Sequence, residues 1–248
     1  MGPDLSAVIF GMASAITWGA ADFCGGVATK RSEIISVLFV SQLIGATLLV
    51  IPLWIWQEPF PGFSDMFWGA AGGACGVVGI TAFYIGLAKG RMGVVAPVAA
   101  VVTAGLPVIA GAILEGLPPA IKYFGFALGL ISIWLVSRSN GENQVRLKGL
   151  ELPILAGVAF GAFFILLDQA ADTALLWPLL AARTASLSLI LLASLVLRKR
   201  LLPDRGKLPL VALAGFLDTG GNLFYMLAAR AGRLDIAAVL SSLYPAAT

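Results

Sequence analysis

Apolar runs of about 20 residues recur along this chain, and each is long enough as a helix to cross the ~30 Å of hydrocarbon in a bilayer. They cover residues 5–28, 34–56, 66–88, 92–114, 121–137, 150–171, 175–197 and 208–229, and a ninth run begins near Ile236. In lipid every backbone N–H and C=O must be paired inside its own element or a closed barrel. The runs lack the alternation of barrel strands, so they predict helices. Only 12% of residues are charged and mean hydropathy is +0.96, against about a quarter charged in soluble domains. The predicted fold class is an all-α polytopic membrane protein. Residues 1–4 hold no Lys or Arg before a full-length first run, which reads as a retained anchor rather than a signal peptide. Cys24 and Cys75 lie in separate apolar segments and read as small packing residues rather than a disulfide.

The chain also contains one unit written twice. FYIGLAKGRMGVVAPVAAVVTAGLP, residues 83–107, returns as FYMLAARAGRLDIAAVLSSLYP, residues 224–245. Each copy has an aromatic pair, a basic hinge with a glycine, and an apolar helix carrying proline. Asp22 follows Gly11 at the interval by which Asp168 follows Gly157. Such self-similarity predicts two halves: residues 1–140 with five helices, a polar linker at 141–149, and residues 150–248 with a second, incomplete set. Five crossings is odd, so the second copy enters the membrane inverted. The ninth run holds too few residues to span, and the expectation is a chain that stops before the end of helix nine and a tenth helix, leaving Ser241 and Ser242 facing lipid. The bland alternative is a re-entrant or interfacial end.

Loop charge predicts an orientation. The loops after predicted helices one, three, five and seven contain Lys30, Arg31, Lys89, Arg91, Arg138, Arg146, Lys148, Arg198, Lys199, Arg200, Arg205 and Lys207. The opposite side has Lys122, Arg230 and Arg233. Cytoplasmic loops carry the Lys and Arg excess, which places the N-terminus outside. Glycines at Gly69, Gly72, Gly73, Gly76 and Gly79 predict a third helix that packs closely on its neighbours.

The chain has no His, which removes the commonest general base and metal ligand. No Walker loop, GxSxG, HExxH or metal-ligand spacing occurs. An enzyme is therefore not predicted, and neither a catalytic residue, a metal nor a cofactor is expected. What remains is polar residues within helices, which are costly there unless they face the bundle interior. Asp218 and, one turn on, Asn222 lie near the middle of the eighth predicted helix, and Arg183 lies within the seventh. With Trp18, Tyr84 and Tyr225 as aromatic walls these form the candidate substrate site. Asp22, Asp168 and Pro97 are candidates for coupling or gating. For each a bland role competes: Asp22 and Asp168 as helix-end caps or interfacial residues, Arg183 in an ion pair with Asp168 or Asp172 or snorkelling outward, the aromatics as packing or interface anchors, and Pro97 as a tolerated kink. Gln42 and Thr103 are weaker candidates.

The chain resembles the ten-helix EamA-type permeases of the drug/metabolite transporter superfamily. The resemblance rests on WGAADF at 18–23, AKGRMGVVAPVAAV at 88–101, Leu114-Glu115-Gly116, DTGGNLFYMLAARAG at 218–232 and VLSSLYPAAT at 239–248. It implies inverted five-helix repeats around a central cavity, alternating access, and export or exchange of a small metabolite or drug-like solute. Partners would be the small-molecule substrate and membrane lipid, not nucleic acid, with the protein a monomer or homodimer in the inner (plasma) membrane. Many relatives of this type keep both termini in the cytoplasm, whereas loop charge here places the N-terminus outside. The rival reading is a non-transporting membrane receptor or scaffold whose buried polar residues only specify packing.

Overall fold

A computed structural model describes residues 3–30, 32–89, 92–114, 116, 124, 127–128, 131, 150–171, 174–231 and 234–248. The predicted fifth helix, the linker and Asp172 lie outside these. The helices are α1 (Pro3–Thr29), α2 (Ile34–Trp56), α3 (Phe63–Lys89), α4 (Met92–Leu114), α5 (Glu151–Ala171), α6 (Leu176–Leu197), α7 (Leu208–Ala231), α8 (Leu234–Ser241) and α9 (Tyr244–Ala247). Among the described residues there is no strand, and seven helices are long and apolar enough to span a membrane. The protein is an all-α polytopic membrane protein. Large apolar side chains such as Trp54, Phe67 and Leu195 stand exposed on the outer face, as a lipid-facing surface requires.

The packing is two-fold. α1 lies chiefly on α7, and α3 chiefly on α5; α2 packs on α7 as well as α6, and α3 packs on α6; α4 lies along α5, and α1 along α8. Each contact thus has a mate under exchange of α1–α4 with α5–α8. The exchange holds at the level of residues. Gly215 of α7 abuts the backbone of Ser41 in α2, while Gly73 of α3 abuts the backbone of Ala182 in α6. Gly11 of α1 faces Leu240 of α8, while Gly157 of α5 faces Val102 of α4. The register also gives direction. Gly157 meets Ala99 and Val102, and Gly161 meets Thr103 and Leu106, so α4 and α5 run parallel.

At Gly73 and Gly215 a Cβ would collide with a carbonyl of the facing helix, so only glycine lets these backbones approach. In lipid, where burial of apolar surface no longer drives helices together, such approach supplies dispersion contact in its place.

The last segment differs from the expectation. It is not one run: α8 ends at Ser241 and α9 begins at Tyr244. Pro245 cannot donate to the carbonyl four residues back, and the chain turns at Ser242 and Leu243. Ser241 and Ser242 do not face lipid either; both are fully buried, because α8 is wedged between α1 and α4. Pro107, by contrast, sits inside a continuous α4.

Two loop contacts tie the ends of the bundle. Glu58, after α2, accepts hydrogen bonds from the backbone N–H groups of Leu175 and Leu176 at 2.9 Å and Trp177 at 3.2 Å, and Trp177 Nε1 donates to the Glu58 carbonyl at 2.9 Å. A carboxylate from a distant loop thereby satisfies the orphan donors at the start of α6 and meets its positive dipole end. At the other end Lys199 donates to Glu33 at 3.1 Å, which holds the Glu33 carboxyl below its ordinary value. That pair is exposed and adds little to stability.

The cap generates a test. Glu58→Ala should lower stability in detergent by about 0.5–2 kcal/mol, the usual cost of a lost N-cap, and Glu58→Gln by less, since the amide oxygen still accepts. Thermal unfolding of the purified variants measures it, and a wild-type midpoint for Glu58→Ala would deny the cap any role in holding α6.

Candidate functional site

A cavity of about 70 Å³ lies between the two halves. The ion-pair side of its lining comes from α2, α6 and α7. Arg183 of α6 pairs with Asp218 of α7, Nη1 to Oδ2, at 2.7 Å. The guanidinium also donates to Gln42 Oε1 of α2 at 2.5 Å and to Thr219 Oγ1 at 3.3 Å. Thr219 in turn donates to the Gly215 carbonyl at 2.8 Å, fixing its hydroxyl oxygen as the acceptor that Arg183 uses. Arg183 is buried, while the Asp218 side chain keeps 23% exposure into the cavity. Asn222, one turn on, donates to the Asp218 backbone carbonyl at 2.6 Å and lines the cavity too. A planar guanidinium with several donors suits a site where one cation must satisfy three oxygens from two neighbouring helices.

The approach of Gly45 makes this geometry possible. A Cβ there would strike Thr219 Oγ1 and crowd the guanidinium, so the bare backbone of α2 leaves the space in which Arg183 crosses to Gln42. Gln42 and Arg183 each follow the residue that abuts the matched glycine, Ser41 on Gly215 and Ala182 on Gly73. They occupy equivalent places in the two halves and touch where those halves meet.

The aromatic wall is equally paired. Trp18 of α1 stacks on Phe164 of α5 with ring centroids 5.5 Å apart. Tyr225 stacks on Phe164 at 4.3 Å and on Trp18 at 6.0 Å. Tyr225 itself is wholly buried and donates to the Phe164 carbonyl at 2.9 Å; it braces the stack from behind and is not part of the cavity lining. Trp18 and Phe164 do line the cavity.

Asp22 of α1 lines the cavity, buried at 8% exposure. Among the described residues no hydrogen bond or ion pair engages its carboxylate. Asp168 is half-buried on α5 and outside the lining, and its interactions do not include Arg183, whose described ion pair is with Asp218. Tyr84 is in the apolar core with its hydroxyl against Gly25 of α1, where only glycine leaves it room. Pro97 is buried in α4, away from the lining. The proline turn that does reach the cavity is the next one, since Pro107 frees the carbonyl of Thr103 and Thr103 lines the site.

Sequence reasoning missed Phe160, Phe163, Ser186 and Tyr244 in the lining. The signal for Tyr244 was available: it is the residue before Pro245, as Leu106 is before Pro107, and Leu106 packs on Gly161 of the cavity helix α5.

Residues 5–138 match the EamA-like transporter family. The chain belongs to that family. It is thus a membrane transporter of the drug/metabolite transporter type. A solved crystal structure of a protein superposes on 98% of this chain and 85% of its own with a TM-score of 0.73 at 16% identity, a likeness of fold. Comparison with curated proteins gives no match. Membership in a transporter family agrees with the coarse reading that the chain is not an enzyme.

The ion pair generates a double-mutant test. Asp218→Asn leaves the Arg183 cation short of its charge partner, and breaking a buried pair costs up to about 3–5 kcal/mol, less here because Asp218 borders the cavity. Arg183→Met should be similarly destabilising, and the double variant should recover a large part of the sum. Unfolding of the three variants in detergent measures this; strictly additive losses would mean the two side chains are not energetically coupled.

Proposed function

We propose that this protein is a secondary transporter that moves a small metabolite or drug-like solute across the inner membrane by alternating access, in the direction of export or exchange. Support comes from one observation above others: the polar cavity sits where the two sets of helices meet, and each set contributes one of the two stacked rings and one of the two touching polar side chains. Binding at a repeat interface lets the halves rock about a fixed site and expose it to each side in turn. On this reading residues 1–140 and 150–248 are inverted repeats joined at 141–149, Arg183, Asp218 and Asn222 hold the polar part of the solute, and Trp18 covers its apolar part. Tyr84 and Tyr225 brace the walls. Asp22 is the coupling or binding carboxylate, with Asp168 and Pro97 acting outside the cavity.

Purified protein reconstituted in liposomes and challenged with a metabolite mixture should give flux above empty vesicles for at least one pool. Asp218→Asn should abolish that flux or separate it from an imposed pH gradient, at matched protein content. No flux for any pool would favour the receptor or scaffold reading.

Orientation is tested separately. Loop charge places the end carrying Lys199, Arg205 and Lys207 in the cytoplasm. Gly206 has open space around it, and Ser64 is exposed at the opposite end of the bundle. Ser64 is preferable to Gly62, whose φ of +112° would strain a cysteine. In a background lacking Cys24 and Cys75, Ser64→Cys should react with an impermeant thiol reagent on intact cells and Gly206→Cys should be protected. The reverse pattern would put the N-terminus inside.

A further inference from the structure

The charges lining the cavity are those of Asp22, Asp218 and Arg183. Asp218 and Arg183 neutralise one another at 2.7 Å, and two further Arg183 donors go to Gln42 and Thr219. Asp22 is left as a carboxyl group with no cationic partner among the described residues. The groups facing it from neighbouring elements do not supply one: Asp218 comes from α7, Tyr84 from α3 and Tyr244 from α9, and all three lie within electrostatic reach of it. A carboxylate removed from water without a partner is costly, and either a proton or a cationic group beside it relieves that cost.

A second observation points to the same kind of ligand. Thr103 and Tyr244, at 1% and 4% exposure, line this cavity, and among the described residues their buried hydroxyls have no hydrogen-bond partner. Each can accept an N–H. Around them stand the aromatic residues Trp18, Phe160 and Phe164, and an aromatic ring presenting its face attracts a cation. An anionic solute would meet two carboxylates and a guanidinium whose charge is already balanced by Asp218. A quaternary ammonium would bring charge but no N–H for the two hydroxyls. A divalent metal ion would want six or more oxygens, several of them carboxylate, and Asp22 offers one carboxylate.

We propose that the cavity binds a protonated primary amine, its ammonium on Asp22 with N–H groups directed to Thr103 and Tyr244 and its apolar part against Trp18 and Phe164. This rests on the transport reading of the same cavity and assigns its substrate class. Because the Arg183–Asp218 pair is neutral, Asp22 alone sets the sign of the charge selected.

The experiment uses the full chain in detergent with 2-phenylethylamine, its neutral counterpart 2-phenylethanol, and 3-phenylpropionate, by titration calorimetry at pH 7. The amine should bind at least about tenfold more tightly than the alcohol, as a charge-assisted hydrogen bond implies, and the carboxylate should bind more weakly still. Asp22→Asn should erase the preference for amine over alcohol, Asp22→Glu should keep part of it, and Asp204→Asn, in the exposed loop before α7, should keep all of it. Equal binding of amine and alcohol by the wild type, a preference for the carboxylate, or an unchanged preference in Asp22→Asn would overturn the proposal. The wild-type comparison decides even if Asp22→Asn does not fold. Counterflow of labelled 2-phenylethylamine in liposomes separates the two readings. Amine binding without flux would sink the transport reading and keep this one, whereas flux of other solutes with no amine preference would do the opposite.

Discussion

Close backbone approach at a few glycines is the constraint from which the arrangement of this bundle follows. Between helices in lipid there is no gain from hiding apolar surface, so association depends on how near two backbones come and on the polar contacts made between them. Gly73 against Ala182 and Gly215 against Ser41 bring α3 to α6 and α2 to α7 in matched registers. Those two contacts lie one residue from Arg183 and Gln42. The same approach that holds the helices together therefore fixes where the polar side chains meet, and the cavity sits beside them.

The two halves match in shape and differ in chemistry. Trp18 and Phe164 stack as equivalents, and Gln42 and Arg183 touch as equivalents, yet one member of the second pair is neutral and the other cationic. Asp218 is matched on α3 by Gly76, three residues beyond Gly73 as Asp218 is three beyond Gly215. The second half thus supplies a complete ion pair, while the first supplies an amide, a glycine and the isolated Asp22. A symmetrical scaffold with charge balanced on one side only is a means of giving a cavity one sign without giving up packing.

Much of the scaffold was legible in the sequence because helices in lipid must close their own hydrogen bonds, so hydropathy alone marks their extent. α2 and α4 fall on the expected residues, and α5, α6 and α7 differ by one or two at an end. The end of the chain was harder. A run of apolar residues with a proline does not say whether the proline is absorbed, as Pro107 is in α4, or accompanied by a break, as at Pro245. The site was partly legible: Asp218, Asn222, Arg183 and Trp18 stand out as polar or amphipathic residues within helices and do line the cavity. Which partner Arg183 takes depends on helix rotation, and apolar stripes that wrap almost the whole helix leave rotation unmarked. For the same reason Glu58 read as one loop acid among several, although it caps a helix more than a hundred residues away.

Arg183 also bears on how such a cavity can change state. Its bond to Asp218 stays within α6 and α7, whereas its bond to Gln42 joins α6 to α2, across the division between the two sets of helices. On the alternating-access reading a relative rotation of the sets leaves the first bond intact and stretches the second. The two have different weights, since the first is a charge pair in a poorly solvated site and the second a hydrogen bond to a neutral amide. The strong contact therefore keeps the cation in place through the movement, and the weaker one is the part that can be exchanged for water or solute. The reverse assignment, with the acid on α2 and the amide on α7, would lock the two sets together at the site itself, because separating them would strip a buried cation of its counter-charge.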